Sequence, residues 1–301
     1  MKYKIHTLDL HFLGHEDTIA AYLIESGSNL VLIETGPHST LPVLKAAVKR
    51  LGFRMDQIKH VLLSHIHFDH AGAAWALASN ATIYVHPAGE KHLIDPTKLY
   101  NSAKMIYKDQ MGKLWGEMRG IAPEKIHATA HGEKITVGSL VFTAWHTPGH
   151  AVHHIAWQLG KNLFAGDVAG VRIGNNGIVV PPCPPPDIDV ELWCESIDLM
   201  RGLRLNALYL THFGKELMVK KHLHSLKKRL VKWADWMKPY YEKGATVEEV
   251  TPKYMSYVKK ELARFDIVGE QYEQYESANP SWMSVAGLMR YWHKKSQKTK
   301  L

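Results

Sequence analysis

The sequence predicts an α/β fold, because short apolar runs typical of strands alternate with segments whose apolar residues recur at helical spacing. The 301 residues are 46% hydrophobic and 22% charged, which is ordinary for a globular protein with a large core. Metal-binding side chains also follow several predicted strands, most densely in the segment from His65 to His70. These observations indicate a layered fold with a metal site on its loops.

The predicted strands are apolar runs bounded by residues that favour turns. In chain order they are the N-terminal segment and residues 20–24, 30–33, 58–63, 81–85, 135–137, 140–145, 155–159, 163–165 and 206–210. An Asn-Gly pair predicts a tight hairpin over residues 173–178, because these residue types accept positive φ at low cost. The proline-rich run 181–186 predicts a stiff loop outside the sheets.

The predicted helices combine capping residues with apolar side chains at three- and four-residue spacing. They are a helix from Ser39 or Thr40 to Gly52, helices over about 71–79 and 189–201, a mixed region over 87–125, and most of the chain after 213. Gly244 and Pro252 are expected to interrupt the last region. We therefore predict a catalytic domain over 1–243 and a helical extension over 244–301 packed on it.

Composition narrows the class of protein. No run of about 18 apolar residues is present, so we expect no membrane span. The N-terminus does not resemble a signal peptide, and Cys183 and Cys194 are too few for a disulfide framework. A cytoplasmic protein is therefore expected.

The net charge of +8 lies wholly in residues 213–301, which hold 18 Lys and Arg against 10 Asp and Glu. Such an excess is typical of a solvated helical surface. It would also attract an anionic substrate or nucleic acid.

Three imidazoles and one carboxylate lie within the six residues His65-Ile66-His67-Phe68-Asp69-His70. A borderline cation such as zinc prefers these ligands. Successive side chains of an extended loop alternate in direction, so His65, His67 and Asp69 can point to one side. The start of a helix can then turn His70 towards Asp69, which suits two metal ions better than one. A chance cluster is the alternative, since the chain has 20 histidines.

Further ligand candidates stand just past three other predicted strands. They are His150 in Thr-Pro-Gly-His, Asp167 in Ala-Gly-Asp, and His212 after Leu-Tyr-Leu-Thr. Loops that follow buried strands can hold a rigid site and leave it open to substrate. Seven candidate ligands are too many for one tetrahedral zinc.

In this order of motifs, over about residues 1–215, the chain resembles the metallo-β-lactamase fold superfamily, and its glyoxalase II-like branch in particular. The resemblance implies a four-layer αββα sandwich with the metals at one edge of the sheets. It also implies that His65, His67 and His150 hold the first metal. Asp69, His70 and His212 would hold the second, and Asp167 would bridge both, together with a hydroxide.

The chain departs from the family pattern in two places. An early Asp-Thr-Gly motif is replaced by Glu34-Thr35-Gly36, which leaves open whether Glu34 supports a ligand. The same question concerns His153 and His154, which closely follow His150. The thiol-binding residues of glyoxalase II enzymes have no counterpart that we can match after about residue 215.

The expected activity is hydrolysis of an ester-like bond, such as a thioester or lactone, in a small molecule. The cofactor is expected to be two divalent ions, Zn²⁺ foremost, with iron and manganese as alternatives. Asp69 would bind the second metal and handle protons. The substrate itself, its binding residues and the oligomeric state are not indicated.

Three rival functions stay open. The first rival is redox chemistry, of the flavodiiron or the persulfide dioxygenase type. Flavodiiron proteins carry glutamate at the position of His67, which argues against that type. Persulfide dioxygenases share the motif but use one iron, so the additional ligands argue against them. Nucleic-acid cleavage is the second rival, although no separate nucleic-acid domain is visible and we do not expect that partner. A metal-stabilised scaffold is the third, and an open ligand set argues against it.

Candidates for a substrate pocket are the proline-rich loop 181–186 and several aromatic side chains. These are Trp75, Tyr100, Tyr107 and Trp115, for which core packing is the alternative.

Overall fold

The fold contains two six-stranded sheets, in a computed structural model that describes residues 3–174 and 178–298. In the first sheet the strands lie in sequence order, with antiparallel pairing from β1 to β3 and parallel pairing from β3 to β6. Its strands are β1 (Lys4–Asp9), β2 (Ala20–Ser26), β3 (Asn29–Ile33), β4 (His60–Leu62), β5 (Thr82–Val85) and β6 (Ile126–Ala128).

The second sheet also follows sequence order, and only its β10–β11 pair is parallel. Its strands are β7 (Lys134–Val137), β8 (Leu140–His146), β9 (Ile155–Leu159), β10 (Asn162–Phe164), β11 (Ala207–Leu210) and β12 (Gly214–Glu216). Strands β8, β10 and β11 run in the same direction, so their carboxyl ends lie at one edge.

Helices cover the outer faces of both sheets. They are α1 (Leu41–Arg50), α2 (Phe68–Ala71), α3 (Pro87–Ile94), α4 (Thr97–Tyr107), α5 (Met111–Leu114), α6 (Val190–Gly202), α7 (Val219–Glu242), α8 (Val247–Ala263), α9 (Glu270–Ala278) and α10 (Ser281–Lys298). No helix of the described ranges is both long and apolar enough to cross a membrane.

Three core clusters correspond to the interfaces between four layers. Side chains such as Tyr22 of β2 and Trp157 of β9 meet between the two sheets. The outer face of the first sheet packs on α1, for example through Leu44. The outer face of the second sheet packs on α6 and α7, with Trp193 and Trp233 fully buried. The expected αββα sandwich is confirmed, as is its helical C-terminal region.

The helix predicted over 71–79 is wrong. The segment contains only the last residue of α2 and a 3₁₀ turn at Ala74–Ala76. Two backbone groups at its start bind the neighbouring loop: the carbonyl of His70, just before the segment, accepts from the amide of Thr35, and the amide of Ala73 donates to the carbonyl of Gly36. The later amides, such as that of Ala76, donate only three residues back. A backbone used in tertiary contacts cannot continue a helical ladder.

Pro252 does not interrupt the C-terminal helices, contrary to expectation. It lies inside α8, in the second turn. A proline there removes one helical hydrogen bond, to the carbonyl of the exposed residue Glu248. Gly244 does separate α7 from α8, with a φ of 69°.

Two further strands, β6 and β12, carry no clear strand signal in the sequence. The hairpin predicted over 173–178 falls partly outside the described residues, although Val171 and Val180 pair antiparallel on either side of it. Helices α8 and α10 share one core cluster with the second sheet. The domain boundary at 243 stays a prediction.

Candidate metal centre

All seven predicted ligands converge at one edge of the sandwich, on loops that follow strands. The segment from His65 to His70 follows β4, and the carboxyl ends of β8, β10 and β11 lead to the other three ligands. Their metal-binding atoms form two groups, in each of which the atoms lie within 4.8 Å of one another. The groups are His65, His67 and His150, and then Asp69, His70, Asp167 and His212.

The first group consists of three imidazoles. Nδ1 of His67 lies 2.8 Å from Nε2 of His65 and 3.2 Å from Nε2 of His150. Burial lowers the pKa of all three rings, to about 4 for His150. The rings are therefore neutral at pH 7, the form that binds a metal ion.

The second group mixes carboxylates and imidazoles. Oδ2 of Asp69 lies 3.6 Å from Nε2 of His70 and 3.4 Å from Nε2 of His212. Burial opposes charge here, but the charges of His70 and His212 outweigh it and lower the pKa of Asp69 to about 2. Likewise the carboxylates, Asp167 first, raise the pKa of both rings against their burial. The second group thus favours positive charge at its centre.

Asp167 reaches both groups with different oxygens. Its Oδ1 lies 3.2 Å from Nε2 of His70 and 3.3 Å from Nε2 of His212. Its Oδ2 lies 3.3 Å from Nε2 of His150. One carboxylate therefore joins the two ligand groups.

Unpartnered polar atoms mark the second group as a place for a cation. Nε2 of His70, Nε2 of His212 and Oδ1 of Asp167 are buried, and although the oxygen lies 3.2 and 3.3 Å from the two nitrogens, none of the three atoms makes a hydrogen bond of acceptable angle among the described residues. Buried polar atoms are normally paired, because an unmade hydrogen bond is costly. Imidazole nitrogens and a carboxylate oxygen that converge in this way fit a zinc-like divalent ion.

Several ligand rings are also held from behind, which fixes their orientation. The Nδ1–H of His150 donates to the carbonyl of Pro182 at 2.9 Å, and that of His212 donates to the carbonyl of Thr18 at 2.7 Å. With Nδ1 acting as donor, Nε2 of each ring is directed at the site. Nδ1 of His65 lies 2.9 Å from Oγ of Ser64.

Glu34 and His154 both support ligands, while neither joins a ligand group. Oε1 of Glu34 lies 3.2 Å from Nδ1 of His70. The amide of Val168, next to Asp167, donates to Nε2 of His154 at 3.4 Å, and Nδ1 of His154 lies 2.8 Å from Oγ1 of Thr147. His154 therefore holds the loop that carries Asp167.

His153 points elsewhere. Its Nε2 lies 3.9 Å from Oδ2 of Asp187, and its ring stacks at 6.1 Å on that of His65. It is not part of either ligand group.

The supporting partners Thr18 and Pro182 could not be found from the sequence, because they act through backbone carbonyls. Ser64 was the one recognisable signal, since a hydroxyl directly before His65 can bind its ring.

The aromatic pocket candidates divide between two places. Tyr100, Tyr107 and Trp115 pack around Phe68, the residue between two ligands. Trp75 instead contacts His38 and Arg119. Met105, from the same helix as Tyr107, is 74% exposed and packs in neither place.

Residues 16–212 match the sequence profile of the family described as the metallo-beta-lactamase superfamily. Among curated relatives, the metallo-beta-lactamase fold-containing protein ST1585 of Sulfurisphaera tokodaii is 28% identical over 165 residues, 53% of this chain and 62% of that protein. The thioesterase pkgB of Emericella nidulans is 30% identical over 195 residues, 64% of this chain and 44% of that protein. The match covers less than two thirds of either relative.

A solved structure resembles nearly the whole chain. The metallo-beta-lactamase family protein TTHA1429 of Thermus thermophilus superposes with a TM-score of 0.72 at 17% identity, covering 97% of this chain and 94% of that chain. At this identity the likeness concerns the fold alone, and it includes the C-terminal helices.

Proposed function

Because the chain belongs to the metallo-β-lactamase superfamily, we propose that it is a dinuclear metal-dependent hydrolase of the glyoxalase II-like branch. Its substrate would be a small molecule with a thioester, lactone or related ester-like bond. The observation that carries the proposal is Asp167, whose two oxygens face the two ligand groups separately. A carboxylate in this position can bind one metal ion with each oxygen, which supports two adjacent ions.

We assign His65, His67 and His150 to the first ion, and Asp69, His70 and His212 to the second, with Asp167 shared. When bound, two such ions polarise a substrate oxygen and lower the pKa of water. Zn²⁺ suits the imidazole-rich first group best, and iron or manganese would also accept this donor set.

Asp69 has a second role in the proposal. Its side chain is 21% exposed, in contrast to the enclosed rings of His70 and His212. A carboxylate at the open side of the centre can accept the proton released when water attacks, and can return it to the leaving group.

A thioester is the first substrate class to test, because the relative pkgB is named as a thioesterase. A persulfide dioxygenase-like reaction would need one iron, and the complete second ligand group argues against it. Nucleic-acid cleavage would need a free basic surface. Three cations of α7 are engaged in ion pairs, which reduces the free positive charge of that helix: Lys227 with Asp198, and Arg229 and Lys232 with Glu261.

The proposed setting is the cytoplasm, and the proposed partner is a small-molecule substrate rather than nucleic acid or a membrane. Both Cys183 and Cys194 are free thiols, which suits a reducing compartment.

The test is a panel of thioesters, lactones, phosphodiesters and β-lactams, assayed on zinc-loaded protein. We expect turnover of at least one ester-like class, its loss in Asp167→Asn, and its retention in His224→Gln, which alters an exposed histidine of α7. Ester turnover that persists in Asp167→Asn would refute the assigned centre. Turnover of phosphodiesters alone would favour the nucleic-acid alternative.

A further inference from the structure

Three packed aromatic side chains, Phe68, Trp115 and Tyr107, begin at the metal-binding loop and form what we call the aromatic wall. Phe68 lies between His67 and Asp69 in sequence and is 7% exposed. Its ring centroid lies 6.0 Å from that of Trp115, which in turn lies 5.2 Å from that of Tyr107. The end of α4 is thereby packed against the candidate centre.

Tyr107 ends this wall with a weakly partnered hydroxyl. The hydroxyl donates to Sδ of Met283 at 3.3 Å, and the ring lies 6.1 Å from that of Trp282. A thioether is a weak acceptor, so this contact satisfies a phenol poorly. Tyr107 is half-buried and remains accessible.

The hydroxyl of Tyr107 is also held in its protonated form. Burial raises the pKa of Tyr107 well above its usual value, and the negative charge of Asp69 raises it further. The phenol therefore stays protonated at neutral pH, and it can act as a hydrogen-bond donor.

We propose that Tyr107 is a substrate-binding residue: its hydroxyl donates a hydrogen bond to an oxygen of the bound ester, and its ring and that of Trp282 contact an apolar acyl or aryl group. Trp282 is 36% exposed beside Tyr107, which gives such a group an apolar surface. The inference deepens the proposed function and rests on it. A substrate with an apolar acyl chain is therefore preferred over an acetyl compound.

The kinetic test uses a series of thioesters from acetyl to octanoyl on the zinc-loaded protein. We expect Tyr107→Phe to lower kcat/KM about fivefold or more, the loss of one hydrogen bond of about 1 kcal/mol. Met283→Leu is the matched control, because it keeps the apolar volume and removes only the sulfur. We expect this variant, and Tyr240→Phe on α7, to stay within about twofold of the parent.

The proposal is overturned if Tyr107→Phe stays within twofold of the parent. It is also overturned if Met283→Leu causes the same loss, since Tyr107 would then act only through its contact with α10.

A binding test separates this inference from the proposed function. The affinities of acetohydroxamate and octanohydroxamate for the zinc-loaded protein, measured by calorimetry, do not require turnover. We expect the longer probe to bind at least tenfold more tightly, since each buried methylene is worth about fourfold, or about 0.8 kcal/mol. Trp282→Ala should remove most of this difference. If no ester is hydrolysed but the two hydroxamates differ in affinity as expected, the proposed function fails and the binding of an apolar chain at Tyr107 and Trp282 is supported. Equal affinities of the two hydroxamates would refute the proposed contact of an apolar chain with Tyr107 and Trp282, even if esters are hydrolysed.

Discussion

Glu34 lies behind His70, with Oε1 3.2 Å from Nδ1 of the ring, on the side opposite the nitrogen that faces the ligand group. Glu34 is 1% exposed, and its Oε2 accepts a hydrogen bond from the amide of Ser64 at 3.3 Å. Oε2 is therefore held by a hydrogen bond, while Oε1 makes none among the described residues and faces the His70 ring as a charge partner. The position of Glu34 explains how a glutamate can stand where the family pattern has an aspartate.

Substituting Glu34 should weaken the second metal site selectively. In Glu34→Gln the side chain keeps its length but loses the charge that orients His70 and makes it a stronger ligand. We expect the affinity of the ion bound by the second ligand group to fall about 10- to 100-fold. Zinc competition with a chromophoric chelator measures this loss. An unchanged affinity would mean that Glu34 only packs.

The two aspartates should differ in their effect on metal content. Asp69 contacts only the second group, so Asp69→Asn should lower the content by one ion per chain. Asp167 contacts both groups, and Asp167→Asn should weaken both ions. Elemental analysis after dialysis measures the difference, with His224→Gln as the control. Equal losses in the two variants would contradict the shared role of Asp167.

His222 should make the fold sensitive to mild acid. The ring is buried, its Nε2–H donates to the carbonyl of Ala169 at 2.7 Å, and burial lowers its pKa to about 4. Between pH 6.5 and 4 the unfolded chain takes up a proton there that the folded chain does not. The contribution of the neutral His222 ring to the free energy of unfolding is therefore fully present above pH 6.5. It decreases by about 1 kcal/mol per pH unit as the pH falls from 6.5 to 4.

In His222→Gln the amide can still donate to Ala169, but it does not titrate. Urea unfolding of metal-free protein at several pH values should show a shallower acid slope in the variant. Parallel slopes would mean that other groups dominate the acid response.

Glu261 should anchor α8 to α7. Its carboxylate accepts from Nε1 of Trp233 at 2.9 Å and pairs with Arg229 at 3.3 Å and Lys232 at 3.1 Å. Glu261→Ala leaves the indole N–H of Trp233 without an acceptor and removes the carboxylate beside the largely buried guanidinium of Arg229, which keeps its bond to the carbonyl of Val179, at a cost of about 2 kcal/mol. Glu261→Gln keeps an acceptor and should cost less. Chemical denaturation measures the loss of unfolding free energy in both variants. Equal losses in Glu261→Ala and Glu261→Gln would assign the effect to the charge of Glu261 alone.

Much of the fold could be predicted because its strands and its longest helix have clear periodicity. The stripe Leu223, Leu226, Leu230, Trp233 and Met237 is buried as its spacing predicts. The helix over 71–79 failed for a reason that no local pattern contains, since the amide of Ala73 and the carbonyl of His70 bind the loop at Gly36 and Thr35. Short strands such as β6 depend on their neighbours in the sheet and not on their own composition.

The convergence of the seven candidate ligands could be predicted because metal binding restricts residue type and spacing. The supports behind them could not, because the carbonyls of Thr18 and Pro182 can come from any residue type. Tyr107 was a pocket candidate from the sequence, but an aromatic residue in a helix is equally consistent with core packing, so the sequence alone did not decide between the two.

The number of metal ions per chain tests the central claim most directly. Protein saturated with zinc and freed of excess ion should contain about two zinc ions per chain by elemental analysis. Diffraction at the zinc edge should place one ion among His65, His67 and His150 and the other among Asp69, His70 and His212, with Asp167 between them. One ion per chain, bound by the first group alone with the second group empty, would contradict the account.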